Sequence, residues 1–285
     1  MERIIGGQKD QILVSMSLLY FNALNYSFLE EETERFVNAT LLSDTAKINN
    51  LNTLVKSLKA YGLWNKIYVL YPFCSDGINA TREFQHSFNL KDPRDLDAAH
   101  RITWNGTRTH TNSGSFTDAY ADTHFNPYLK GVVATDCAVM FATTSGTDAG
   151  EKLSWGAYTT GGVGIAGYTS LNCGPATNAN TYTQIGGNWD FHSGPQYCQT
   201  LIASRNNSSS YDQRMYGTIQ NDKNITTASA GVPNLNLYLW ACNVNGSVTG
   251  GGSTCNRSFF VILKAITSTE MTNLYYTYNA FQNGK

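Results

Sequence analysis

Asn234-Leu-Asn-Leu-Tyr-Leu-Trp240 alternates side chains so that Leu235, Leu237 and Leu239 share one face of an extended chain. A repeat of two is the signature of a β-strand with one face buried. We read this strand as Asn234–Asn243, and similar short stretches lie on both sides of it. Ala138–Thr143, Leu153–Thr159, Gly164–Leu171, Tyr182–Ile185, Gln199–Arg205, Tyr211–Gln220 and Arg257–Ile266 each read as strands. Loops rich in Gly, Asn, Ser and Thr separate them, at the spacing of a β-sandwich. Asn243–Thr254 reads as an exposed hairpin connection.

The pattern changes at both ends. Four glutamates cluster at Glu30, Glu31, Glu32 and Glu34, whereas only Glu151 and Glu270 follow Glu83. The first 70 residues therefore read as helical. From Ser43 to Gly62 the signals agree: Ser43 or Asp44 as cap, Ile48, Leu51, Leu54, Val55 and Leu58 on one face, and Gly62 as the left-handed stop. Leu63–Phe73 then reads as a buried strand. In Lys91-Asp-Pro-Arg-Asp-Leu-Asp97, Asp92 is expected to cap a helix, with Pro93 in its first position and Asp95 in its first turn. Calcium is disfavoured there, because the spacing and glycine of an EF-hand are missing. Near the end, Thr267 with Glu270 forms a capping box, and Met271, Leu274, Tyr275, Tyr278 and Phe281 form a helical stripe.

Composition narrows the function. Charged residues make up 14% and the formal net charge is −1, while 28 Asn and 31 Thr fill the polar surface. That balance excludes nucleic-acid binding by bulk electrostatics, and the apolar content excludes disorder. Ile12–Phe21 is apolar but too short to span a bilayer, which needs about 20 residues. No cleavage site follows it, so we expect a protein made without export and without membrane insertion. The six cysteines are too far apart for a zinc ribbon or redox motif and read as buried thiols, with Cys242 and Cys255 opposed only if a hairpin joins their strands. The Asn-x-Ser/Thr sequons, such as Asn38 and Asn105, arise from composition alone.

Several segments carry a resemblance. They include Leu54-Val-Lys-Ser-Leu-Lys-Ala-Tyr-Gly-Leu-Trp-Asn-Lys66, Tyr71-Pro-Phe73 and Phe88-Asn-Leu-Lys-Asp-Pro-Arg-Asp-Leu-Asp-Ala-Ala99. Ala119-Tyr-Ala-Asp-Thr123 with Asn126-Pro127, Pro233-Asn-Leu-Asn-Leu-Tyr-Leu239 and the terminal Thr269–Gln282 join them. Together they resemble a family of tailed-phage and prophage virion proteins with a concanavalin A-like (LamG-type) sandwich. Residues 1–42 fall outside the resemblance, and Cys74–Gln85 departs from the short Gly-rich link expected. The resemblance implies a mainly β, concanavalin A-like jelly-roll sandwich with an N-terminal helical segment and a C-terminal helix. It further implies a head fibre, decoration, vertex or tail-adhesion subunit, homo-oligomeric, contacting other capsid or tail proteins on a virion assembled in the host cytoplasm. It carries no catalytic residues.

The expected organisation is an attachment or oligomerisation segment at 1–42, a helix–strand entry at 43–100 and the sandwich with its terminal helix at 101–285. Paired-carboxylate hydrolysis has only Glu151 as a sandwich glutamate. The five histidines fit no catalytic or metal motif, so no catalytic, metal or cofactor site is expected. A site for host surface glycans is better supported. Asn188, Trp189 and Asp190 combine an aromatic plane with planar hydrogen-bonding groups, although the first reading of Trp189 is a plug at the end of the sandwich. A soluble lectin module is the alternative, and a glycan-active enzyme ranks third.

Overall fold

The computed structural model describes residues 29–78, 80–111, 114–117, 120–145, 152–159, 163–169, 179–186, 190–194, 200–216, 221–250 and 256–285. It begins with helices α1 (Glu31–Thr40) and α2 (Thr45–Ala60). As expected, Asp44 caps α2, accepting from Ala46 N at 2.9 Å and Lys47 N at 3.2 Å. Gly62 follows at φ +70°, a conformation that costs glycine little. Lys59 ties the two helices, 2.6 Å from both Glu30 and Glu32.

The elements that follow are β1 (Ile67–Tyr71), α3 (Ala80–His86), β2 (Thr103–Asn105), β3 (Arg108–Thr111), β4 (Gly114–Thr117) and β5 (Tyr120–Asp122). Next come β6 (Cys137–Ser145), β7 (Lys152–Thr159), β8 (Val163–Thr169), β9 (Ala179–Ile185) and β10 (Asp190–Gly194). After β11 (Thr200–Arg205), β12 (Ser210–Tyr216) and β13 (Asn221–Thr226) lie β14 (Tyr238–Leu239), β15 (Cys242–Val244), β16 (Ser247–Thr249), β17 (Asn256–Leu263) and α4 (Ser268–Asn283).

The strands form two sheets. The first runs β13-β12-β11-β6-β17-β4-β3, with β1 also on β17; the second runs β10-β9-β8-β7-β14-β5-β2, with β15 and β16 attached at β7. Neighbours such as β6 and β17, or β7 and β14, are remote in sequence because the chain passes repeatedly from one sheet to the other. This is a jelly-roll β-sandwich of the concanavalin A-like kind, as expected.

Alternation along the strands explains the layers. Val139, Phe141, Phe260 and Ile262 of the first sheet meet Trp155, Ile165, Ile185 and Leu239 of the second in one core. The opposite side of the first sheet, Met140, Ile202, Phe259, Val261 and Leu263, packs against Phe36, Leu51, Leu54, Leu274 and Phe281 of the helices. β17 is accordingly buried at every residue, and each large apolar side chain so buried is worth about 1.5–3 kcal/mol. Residues 29–42 thus pack onto the sandwich, whereas residues 1–28 with the Ile12–Phe21 run lie outside the described residues.

Four local expectations need correction. Asn234–Asn243 is not one strand: Trp240 adopts φ +64° and the chain reverses there, so β14 runs antiparallel and β15 parallel to β7. Of Tyr211–Gln220 the described part belongs to β12, and β13 runs antiparallel beside it from Asn221, so the chain reverses before Asn221; residues 217–220 lie outside the described residues. Asp92 caps no helix; its carboxylate holds Arg94 Nε at 2.7 Å, while Asn89 Oδ1 accepts from Leu70 N and Lys91 N and fastens this segment to β1. The first helical turn after it is a 3-10 turn at Asp97–Ala99. Finally, the hairpin after Cys242 turns at Asn245-Gly246, both at positive φ, so Thr249 lies opposite Cys242. Cys74, Cys137 and Cys242 are buried free thiols, and burial pushes the last two up to about 12; Cys255 lies outside the described residues.

Candidate functional site

Of the residues singled out from sequence, Asn188 and Trp189 lie outside the described residues, as does Glu151. Asp190 opens β10 at the edge of the second sheet, opposite Thr183. The described residues bring together a different group.

It occupies the outer face of the second sheet, where β2, β5 and β14 lie side by side. Trp104, Ala121 and Leu239 point into the core, so their neighbours Thr103, Tyr120, Asp122 and Tyr238 point out. The rings of Tyr120 and Tyr238 stand 4.6 Å apart at an interplanar angle of 31°. Gly156 faces Tyr238 across the ladder at φ +125°, and a Cβ there would fall 2.4 Å from Ala166 Cα of β8, so only glycine fits this position.

Opposite Tyr238 in the ladder, Asp122 Oδ1 accepts from His124 N at 2.7 Å and from Asn236 Nδ2 at 3.3 Å; Asn236 also reaches Oδ2 at 3.4 Å. The His124 imidazole places Nε2 2.8 Å from Thr103 Oγ1 and 3.5 Å from Asp97 Oδ1. Burial, then the charge of Asp122 and the Tyr120 phenol, raises the Tyr238 phenol above its usual pKa, so it remains a hydroxyl donor.

The core holds this group in place. The buried Tyr71 hydroxyl donates to the carbonyl of His100 at 2.6 Å and lies 3.4 Å from that of Thr123. His100 sits at φ +65° with Nδ1 3.0 Å from the His124 carbonyl, and burial lowers its pKa. Thr123 Oγ1 donates to Leu237 O at 2.7 Å, joining β5 to the segment that carries Asn236 and Tyr238.

Thr103 also borders a cleft of about 280 Å³ lined by Glu83, Phe84, Ser87, Arg101 and Trp104. Its charges are paired: Arg101 Nε lies 2.8 Å from Asp95 and Arg108 Nε 2.7 Å from Glu83. Beneath it, His86 and His110 face each other with Nδ1 atoms 3.2 Å apart, and burial pushes His110 down to about 4.

The chemistry of this face is that of a hydrogen-bonding platform. Half-exposed tyrosine rings, a carboxylate and an amide side by side suit a polyhydroxylated ligand. A nucleophilic relay through Thr103 and His124 would need an orienting partner on Nδ1, yet Asp122 lies 4.0 Å from it, beyond hydrogen-bond reach. Among the described residues no group of three His, Cys, Asp or Glu side chains is arranged to hold a metal ion, and no helix is long and apolar enough to cross a membrane.

Sequence reasoning passed over these residues although a signal was present. Tyr120 and Asp122 flank Ala121, and Asn236 and Tyr238 interleave with Leu235, Leu237 and Leu239. The outward complement of that leucine face is the site.

No family model and no curated protein matches the chain. Solved structures overlap it in part. The CBM40 domain of the Ruminococcus gnavus IT-sialidase matches at 13% identity and a TM-score of 0.32, over 50% of this chain and 81% of that one. The same domain bound to α2,6 sialyllactose gives 13% and 0.37, over 59% and 97%. Trypanosoma rangeli sialidase in complex with sialic acid gives 7% and 0.40 over 81% of this chain, which spans only 39% of that enzyme. At such scores the fold assignment rests on the strand order above, and function on the residues of the site.

Proposed function

We propose that the protein is a non-enzymatic glycan-binding β-sandwich that works as an oligomeric surface subunit of a virion. The observation that carries the binding function is the Tyr120–Tyr238 ring pair beside Asp122 and Asn236 on the outer face of the second sheet. Sugar rings offer an apolar C–H face to an aromatic plane and hydroxyls to a carboxylate and amide, and this arrangement supplies both. The virion setting is supported by the sequence resemblance described above.

The test is binding to immobilised host surface glycans by the parent protein and by Tyr238→Ala. Loss of the outward ring should weaken binding about tenfold, close to 1.4 kcal/mol, with folding intact. Parent-like binding by both Tyr238→Ala and Tyr120→Ala would remove the site from this face. Released oligosaccharide fragments would make the protein an enzyme. Sedimentation separates the settings: a stable homo-oligomer fits a virion subunit, and a monomer fits a soluble lectin module.

A further inference from the structure

The charges around this face bear on which sugars it takes. Among the described residues no lysine or arginine nitrogen comes within 4.0 Å of Asp97 or Asp122; His124 is the one basic side chain that either carboxylate faces. The arginines lining or flanking the adjoining cleft are occupied. Arg101 faces Asp95, Arg108 faces Glu83, and Arg82 donates to the carbonyls of Gly77 and His110. Lys130 lies near His100, where its charge opposes protonation of that ring. The face therefore presents two carboxylates, neither of them paired with a lysine or arginine among the described residues.

Hydrogen-bond inventory points the same way. A carboxylate pair of oxygens offers about four acceptor sites. Asp122 uses two on Oδ1, for His124 N and Asn236, and one on Oδ2, which leaves an acceptor on Oδ2. Asp97 is three-quarters exposed. The Thr103 hydroxyl is already engaged with His124, and the Asn236 amide nitrogen with Asp122. Beside the Tyr120 and Tyr238 hydroxyls, which donate and accept, the open groups are the acceptor-only carboxylates of Asp97 and Asp122, so a ligand that meets them must bring donors. Sugar hydroxyls and acetamido N–H groups are donors; a sugar carboxylate is not, and it would meet like charge.

Given the glycan-binding function on which this rests, we propose that the site takes uncharged hexose and N-acetylhexosamine units and rejects carboxylate-bearing sugars such as sialic acids. Asp97 and Asp122 enforce the rejection.

The experiment measures binding of the full chain, at neutral pH, to lactose and to α2,3-sialyllactose displayed at equal density on one carrier, within a wider panel of neutral glycans. Neutral glycans should bind at least about tenfold more tightly than the sialylated one. Asp97→Asn should narrow that ratio by raising affinity for sialyllactose, and added salt should narrow it too. Equal or tighter binding of sialyllactose by the parent protein overturns the proposal while leaving glycan binding intact. A ratio unchanged in both Asp97→Asn and Asp122→Asn overturns it as well, because the carboxylates would then not be the source. Failure of every glycan in the panel to bind overturns the glycan-binding function itself and this specificity with it.

Discussion

Phe281→Ala should destabilise the whole sandwich, although Phe281 lies in the last helix, four residues from the end of the sequence. Phe281 is 1% exposed and sits in the layer between α4 and the first sheet, with its ring 6.4 Å from that of Phe259. Beside it Tyr278 stands 5.2 Å from Phe259, and its hydroxyl lies 2.7 Å from Ser258 Oγ. Asn50 of α2 caps the same turn by donating to Phe281 O at 2.6 Å. Truncating a buried phenylalanine removes its transfer free energy and leaves a cavity, about 3–5 kcal/mol together. In a chain of this size that lowers the melting temperature by roughly 10 °C. Calorimetry or urea unfolding measures it. Tyr276→Ala is the control: Tyr276 lies on the same helix but is 62% exposed, and its loss should stay within about 0.5 kcal/mol. A Phe281→Ala protein that melts with its parent would refute the reasoning, because α4 would then be an appendage and not a cover.

Two further substitutions probe the scaffold. Burial opposes the charge on Asp76, but hydrogen bonds from Gln85, Ser43 and Asp44 outweigh it and hold the carboxyl at about 2, below its usual 3.8. Its contribution is therefore complete above 3.8 and is lost as pH falls toward 2; after solvent screening it amounts to about 1 kcal/mol. Asp76→Asn should lower stability at neutral pH by that amount and flatten the acid limb of the unfolding curve, and an unaltered acid limb would contradict this. Tyr71→Phe should cost about 1–2 kcal/mol by stranding the His100 carbonyl, and should speed amide exchange around 97–103 and 122–125. Unchanged exchange there would mean that Tyr71 does not hold the site.

Sequence showed most where local chemistry and tertiary packing agree. The Asp44 cap and Gly62 stop bound α2, and the Thr267–Glu270 capping box opens α4, because backbone groups at helix ends must find partners whatever the helix packs against. The strands of the first sheet were legible because they are thick with apolar residues. Elsewhere distant contacts decided. Nothing local in Trp240 foretells φ +64°; the ring is fully buried against Trp104 and Phe73, and that packing holds the turn. Asp92-Pro-Arg has the residues of a helix start, yet Asn89 fixes the segment to β1 before a helix can form. Trp189 drew attention as a conspicuous aromatic on a Gly-rich stretch. The described site instead joins Asp122 to Asn236, 114 residues away, a pairing that only the strand order creates.

That strand order also bears on where the proposed binding face lies. A two-sheet sandwich has two outer faces, and a face already packed offers no ligand its ring planes or acceptors. The centre of the first sheet is packed on both sides: Val139, Phe141, Phe260 and Ile262 fill one, and Met140, Phe259, Val261 and Leu263 are covered by the helices on the other. The helical layer removes an apolar surface that would otherwise drive association. On the second sheet, over β2, β5 and β14, the outward residues are Thr103, Tyr120, Asp122 and Tyr238, half-open or exposed, each between neighbours that anchor in the core. Outward positions on so rigid a ladder keep their spacing when a ligand arrives, so little ordering cost is left to binding. The helices that wall off the centre of the first sheet thereby leave the proposed binding face to the second.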